Sequence, residues 1–280
     1  MVKADLHMHG TIGFQDYWLK LQGYEGKNLL QLIADKCFEG DIEVCAVTSE
    51  NFEIPKGSVH DRLGYLMQFV SKLPKNYLTH QLGDNILAVE KDGKIVYLIN
   101  GQAVTVWDDD KRYTSLVVGS NKIPNNMNLE DTLKYGKDRG LIQIMECSFV
   151  ENHSGIELDR LWRYTNSYDA IEGHNAGLWY SFITLSNEHA QYFAQEHKKP
   201  AIAVSDARRI KDLGTSYINL ERMPDALSEE TFLRDLKFQV SSGEFDVHKA
   251  YISAFGALHQ FLNMKIFMLL NPEKRFLFKF

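Results

Sequence analysis

Cysteine is scarce in this chain: Cys37, Cys45 and Cys147 are the only three among 280 residues. They are too few and too scattered for a disulfide framework or a cysteine-rich zinc module, which favours a reducing cytosol. No low-complexity tract, repeat or linker rich in proline, glycine or serine divides the chain. Long apolar runs are missing too. The longest, residues 250–270, is interrupted by His259, Gln260, Asn263 and Lys265. It reads as a core or interface helix rather than a membrane span, and it offers a surface for oligomerisation. The N-terminus shows no cationic region followed by an apolar signal segment, so a cytoplasmic location is expected. Positive charge is not in excess either: the net charge is −6 with basic residues scattered. A nucleic-acid-coating surface is therefore not expected.

What is present suffices for a large core. With 44% hydrophobic residues, the chain fits a single α/β domain over residues 1–280, with a helical C-terminal portion (224–280) packed on it. Hydrophobic periodicity predicts strands at 2–6, 44–48, 86–90, 94–98, 103–107, 114–118, 141–145, 170–172 and 201–204. Helices are predicted at 28–38, 61–73, 128–139, 156–164, 186–197, 228–241 and 249–270. Asp92-Gly93 between two strand runs is a hairpin signal. Asn128 reads as a helix cap, and Gly140 as that helix's stop. Short strands alternating with helices favour a parallel barrel or a doubly wound sheet, in which chemistry sits at the C-terminal ends of strands.

One motif stands at such an end. In Asp5-Leu6-His7-Met8-His9 the alternation of a strand would place Asp5, His7 and His9 on one face. Two imidazoles converging from one strand end are a common beginning of a metal site. Two polar residues at a strand exit would look the same in sequence.

The wider pattern resembles the polymerase and histidinol phosphatase (PHP) superfamily. Asp5–Gly10 is similar to its D-L-H-x-H motif, and Val44–Asn51 to the segment usually read a-i-T-D-H-n. Residues 99–105 resemble G-x-E-v-t, residues 141–149 the strand ending in H-P-f, residues 169–175 D-x-I-E-x-x-N, and residues 203–208 the closing G-S-D-x-H. Order and rough spacing agree over about residues 3–220. The resemblance implies a distorted (β/α)7 TIM-like barrel that binds up to three metals and hydrolyses phosphoesters.

The departures from that pattern matter as much. The resemblance places His7, His9 and Asp206 at three ligand positions of the first metal, whereas the carboxylate that bridges two metals is replaced by Ala103. Glu50, preceded by Ser49, stands for the second motif's histidine. Cys147, with Glu146 as a one-residue alternative, stands for the H-P histidine, and Arg208 for the last one. Without a bridging carboxylate, two cations cannot be held close in the family manner. A single divalent ion (Zn, Mn or Fe) on His7, His9 and Asp206 is expected instead, with Cys147 as a further soft ligand or simply a small core residue. Glu50 and Arg208 can pair in the volume of a lost metal, or be unrelated surface charges. Glu172 is a candidate orienting partner of a ligand, and His153 and His174 lie near strand ends without a definite role.

Two functions remain open. One is a metal-dependent phosphoesterase with a mononuclear site, in which Arg208 holds the phosphate of a small substrate. The other is a catalytically inactive relative whose cleft or C-terminal helix binds a ligand or partner.

Overall fold

The computed structural model describes residues 1–9, 23–24, 27–50, 62–108, 111–120, 122–124, 127–146, 162–178 and 185–253. Eleven strands form one mixed sheet: β1 (Val2–His9), β2 (Ile42–Glu50), β3 (Tyr77–Gln81), β4 (Ile86–Lys91), β5 (Lys94–Asp108), β6 (Lys111–Val118), β7 (Ile142–Met145), β8 (Ala170–Asn175), β9 (Ala201–Val204), β10 (Tyr217–Leu220) and β11 (Phe245–His248). Their order is β11-β10-β1-β2-β5-β6-β7-β8-β9, with the β3–β4 hairpin added to β5. A parallel bridge between Met8 and Ala207 and a 2.8 Å hydrogen bond from the Asp206 amide to the His7 carbonyl bring the two sides together. The result is a nearly closed, distorted TIM-like barrel, as the PHP resemblance implies.

The strands are not all parallel. β1, β2 and β5 run parallel, as do β7, β8 and β9, whereas β6 runs antiparallel to both its neighbours. The runs expected at 94–98 and 103–107 are one strand, β5. It continues through Asn100 because the buried Asn100 side chain accepts the Leu63 amide at 2.9 Å, so its polar atoms are not stranded in the core. Asp92 and Gly93, both with positive φ (52° and 77°), make the β4–β5 turn. The strands β3, β10 and β11 went unpredicted; they are short, and three of the four β11 residues are exposed.

Among the described residues five helices accompany the sheet: α1 (Leu29–Gly40), α2 (Arg62–Met67), α3 (Leu129–Asp138), α4 (Ser186–Glu196) and α5 (Glu229–Ser242). Asn28 and Asn128 cap α1 and α3 by accepting the amides of Gln31 and Asp131, and Ser228 and Thr231 form a capping box on α5. α1 and α2 cover the outside of β2, β4 and β5 through Leu30, Ile33, Leu63, Cys45, Val47 and Leu98. α5 instead joins the barrel interior, where Phe232, Leu236 and Val240 pack with Ala4, Val118, Ile142 and Val204. Its Lys237 reaches the Leu141 carbonyl, at the end where the parallel strand β7 begins, and its Glu229 accepts the Asn85 amide beside the β4–β5 pair. The opposite end stays available for a site.

The C-terminal portion differs from expectation. The predicted helix at 249–270 does not begin at Lys249: β11 occupies 245–248, and residues 249–253 have no regular structure. There the Ala250 amide and carbonyl are held by Ser216, and the Ile252 amide by the Ala176 carbonyl, so the backbone bonds sideways rather than along a helix. The rest of that predicted helix lies outside the described residues.

Candidate metal centre

Two bulges aim the polar side chains. Along β1, Val2, Ala4 and Leu6 face the barrel interior. The register with β2 then slips by one residue between Asp5 and Met8. Met8 consequently joins the outer layer, and His7 and His9 turn into the interior. Asp5, opposite Cys45, is left on the outer side, so the expectation that Asp5 shares the histidines' face does not hold. Its buried carboxylate instead accepts the amides of Ser205 and Gly214, both at 3.1 Å. Burial pushes its pKa up to about 6.

β8 repeats the device. Its register with β9 slips between Glu172 and His174, so that Glu172 and Asn175, opposite the interior residues Ile202 and Val204, both face inward. Gly173 is required at the slip because a Cβ there would lie 2.7 Å from the Cβ of Ala201. His174 is thereby turned away from the centre: its ring nitrogens meet the Ala250 carbonyl at 3.0 Å and the Asn187 side chain at 3.4 Å. Burial pushes its pKa down.

His7, His9 and Asp206 meet at the strand ends. His7 Nε2 lies 2.9 Å from His9 Nε2 and 3.9 Å from Asp206 Oδ1, and His9 Nε2 lies 3.0 Å from that same oxygen. Ligands at roughly 2.0–2.2 Å from one cation are separated by no more than about 4.4 Å, so the triangle fits a single ion. Two further observations support the fit. Asp206 Oδ1 is buried and receives no well-directed hydrogen bond among the described residues, despite its closeness to His9. Glu172 Oε1 takes the other ring nitrogen of His7, Nδ1, at 2.7 Å, which orients Nε2 toward the triangle. Asp206 itself has φ 46°, a backbone strain found at sites where a side chain must be aimed.

The electrostatics are those of an acidic cleft. Burial disfavours a charged His7, but the carboxylates of Glu146, Glu172 and Asp206 outweigh it and raise the ring's pKa to about 10. Asp206 is held well below the usual carboxylate range, because Arg208, His9 and His7 overcome the effect of burial. A divalent cation would supply the positive charge that the surrounding carboxylates call for.

The other expected residues divide clearly. Ala103 is buried within β5, in register with Glu50 at the end of β2. Arg208 is half-exposed at the rim, its Nε 3.8 Å from Asp206 Oδ1. The Glu50 side chain, Cys147 and His153 lie outside the described residues. Glu146 follows the interior-facing Ile142 and Ile144 in alternation, and its carboxylate lies 4.0 Å from His7 Nε2. The sequence offered it only as an alternative to Cys147. In the sequence Asn175 stands out only as the last residue of the segment that resembles D-x-I-E-x-x-N. Its place between two carboxylates depends on a bulge that strand periodicity does not reveal.

The fold agrees with comparisons to known proteins. A family model described as PHP-associated matches residues 184–240, the segment carrying α4, β9, Asp206 and α5. The fold is that of the PHP superfamily. PsfC from Pseudomonas syringae PB-5123 superposes with a TM-score of 0.59 at 14% identity, over 96% of this chain and 100% of that one. A two-domain protein from Bacteroides vulgatus ATCC 8482, containing a predicted PHP-like metal-dependent phosphoesterase, gives a TM-score of 0.54 at 13% identity. That match covers 89% of this chain and 64% of the other. Comparison with curated proteins gives no match. Among the described residues no helix is long and apolar enough to cross a membrane.

Proposed function

We propose that the chain is a metal-dependent phosphoesterase that works with a single divalent ion rather than a multinuclear cluster. The observation that carries this reading is the buried His7–His9–Asp206 triangle, with His7 oriented by Glu172; that the resemblance puts Ala103 where the family bridges two metals supports a single ion. The bound ion would supply Lewis acidity and an activated water. His7, His9 and Asp206 would hold it through two nitrogens and one oxygen, leaving coordination positions open on the side of the cleft. With the ion bound and Nε2 deprotonated, Glu172 would keep the remaining His7 proton on Nδ1, so that Nε2 presents its lone pair. Arg208, anchored loosely by Asp206 yet half-exposed, is placed to grip a substrate phosphate through its remaining N–H donors. Glu50, in register with Ala103, would balance that guanidinium across the cleft. A small phosphorylated molecule suits such a mouth, and the protein would work in the cytoplasm. Any self-association would use the apolar segment at 250–270.

The loss of the bridging carboxylate favours a second reading, in which the barrel keeps its cleft as a binding module without turnover. Hydrolysis of a generic aryl phosphate separates the two. The phosphoesterase reading expects turnover that requires added Zn, Mn or Fe and is lost in His9→Ala, with Cys147→Ser close to wild type. Equal background rates in wild type and His9→Ala would leave only the binding module.

A further inference from the structure

Resting on the metal site just proposed, we infer that Asn175 is the positioning residue that sets the geometry of that site, through one amide group shared by two carboxylates. Its Nδ2 donates to Glu172 Oε2 at 3.2 Å and to Asp206 Oδ2 at 3.3 Å. Both amide hydrogens are thereby used, one for the carboxylate that orients His7 and one for the carboxylate that would bind the ion. The orientation of the amide is not arbitrary, because Oδ1 accepts the Gly177 amide at 2.8 Å and so turns Nδ2 toward the carboxylates. The Asn175 amide donates in turn to Asn187 Oδ1 of α4 at 3.1 Å, and Asn187 also donates to the Asn175 carbonyl. The residue is therefore fixed at both backbone groups and at both side-chain atoms, while almost fully buried.

The charge pattern explains why a donor is needed here. Glu172 and Asp206 sit on adjacent strand ends, buried, and each uses one oxygen toward the histidines. Their other oxygens both turn to the Asn175 amide, and bringing two buried anions close without a shared donor is costly. A lysine or arginine there would quench the charge that draws a cation. A neutral amide with two donors satisfies both oxygens and leaves the negative charge in place. The bulge at Gly173 is what puts Glu172 and Asn175 on the same side, three residues apart rather than two. Gly177 belongs to the same device: a Cβ there would lie 2.8 Å from Asp206 Oδ2 and 3.1 Å from Asn175 Oδ1, displacing the pair directly.

The test uses the full chain and measures metal rather than turnover. Zn²⁺ affinity is read by competition with a chromogenic chelator for wild type, Asn175→Leu (similar volume, no donor) and Gly177→Ala. Asn128→Ala, which removes a helix cap far from the centre, controls for loss of stability alone. Melting of the chelator-treated proteins reports folding separately. Positioning predicts that Asn175→Leu and Gly177→Ala bind Zn²⁺ about 10- to 100-fold more weakly, with Asn128→Ala unchanged. It also predicts displaced ring ¹⁵N shifts of His7 in metal-free Asn175→Leu at one fixed pH. Wild-type affinity and unmoved His7 shifts in Asn175→Leu would overturn the inference. If the wild type itself takes up no Zn²⁺, Mn²⁺ or Fe²⁺, the metal reading fails instead. The His7 shifts then decide alone: displaced, they support the positioning role, and unmoved, they overturn it.

Discussion

At the scale of single residues, His7 shows how the site couples protons to metal. In the metal-free protein its ring is held cationic against the penalty of burial by Glu146, Glu172 and Asp206. One N–H then points to Glu172, and the other lies toward His9 Nε2 at 2.9 Å, where an ion would bind. Entry of the ion must expel that proton. Apparent metal affinity should therefore strengthen with pH by about tenfold per unit below the His7 pKa, or roughly a hundredfold between about pH 6 and about pH 8. Chelator competition across that interval measures it, and a flat profile would mean that His7 is not a ligand. The stability of the metal-free fold moves the other way. Because the folded pKa lies above the ordinary 6.5, protonated His7 stabilises the fold fully below that pH, and the contribution fades as pH climbs toward about 10. Of this cluster the sequence singled out His7, His9, Asp206 and Glu172, since motif order alone locates them. Glu146's proximity was less legible, because it depends on the strand phase of β7.

At the scale of elements, the two bulges and the inward helix matter most. Period-2 alternation predicts that residues two apart share a face, and on β1 it wrongly added Asp5 to the histidines. The slips in β1 and β8 each insert one residue at the strand end and so crowd more polar side chains into the cleft than regular strands allow. Nothing in local composition marks a bulge in β1; in β8 Gly173 is the one signal, and it is ambiguous alone. α5 was legible from Ser228 to its last turn because its cap and apolar rhythm are local. That it plugs the barrel was not, because packing partners are set by tertiary structure. Phe232 is fully buried there, its ring centroid 4.9 Å from that of Tyr97 with the two rings tilted. Phe232→Ala should cost about 3–5 kcal/mol in stability, read from denaturant unfolding. A loss below about 1 kcal/mol would show that α5 lies on the barrel rather than in it.

At the scale of the molecule, the chain combines a shared fold with a centre proposed to hold one ion. Barrel topology, the plugging helix and the Met8–Ala207 closure place β1, β7, β8 and β9 so that their C-terminal ends converge on one acidic cleft. Resemblance of motif order foretold this architecture across much of the chain, although pairwise identity to the compared structures is only 13–14%. It did not foretell the antiparallel β6 and the short added strands, whose side chains carry no motif. Ala103, which the resemblance places where the family has its bridging carboxylate, is buried, and the proposal of a single ion rests on that replacement. The account stands or falls on the resulting metal count. Elemental analysis of protein purified without chelator or added metal, then titrated with Zn²⁺, Mn²⁺ or Fe²⁺, reads that count directly. The account predicts one tightly held ion per chain in the wild type and none in His9→Ala or Asp206→Ala; two or three ions per chain, or one that survives those substitutions, would contradict it.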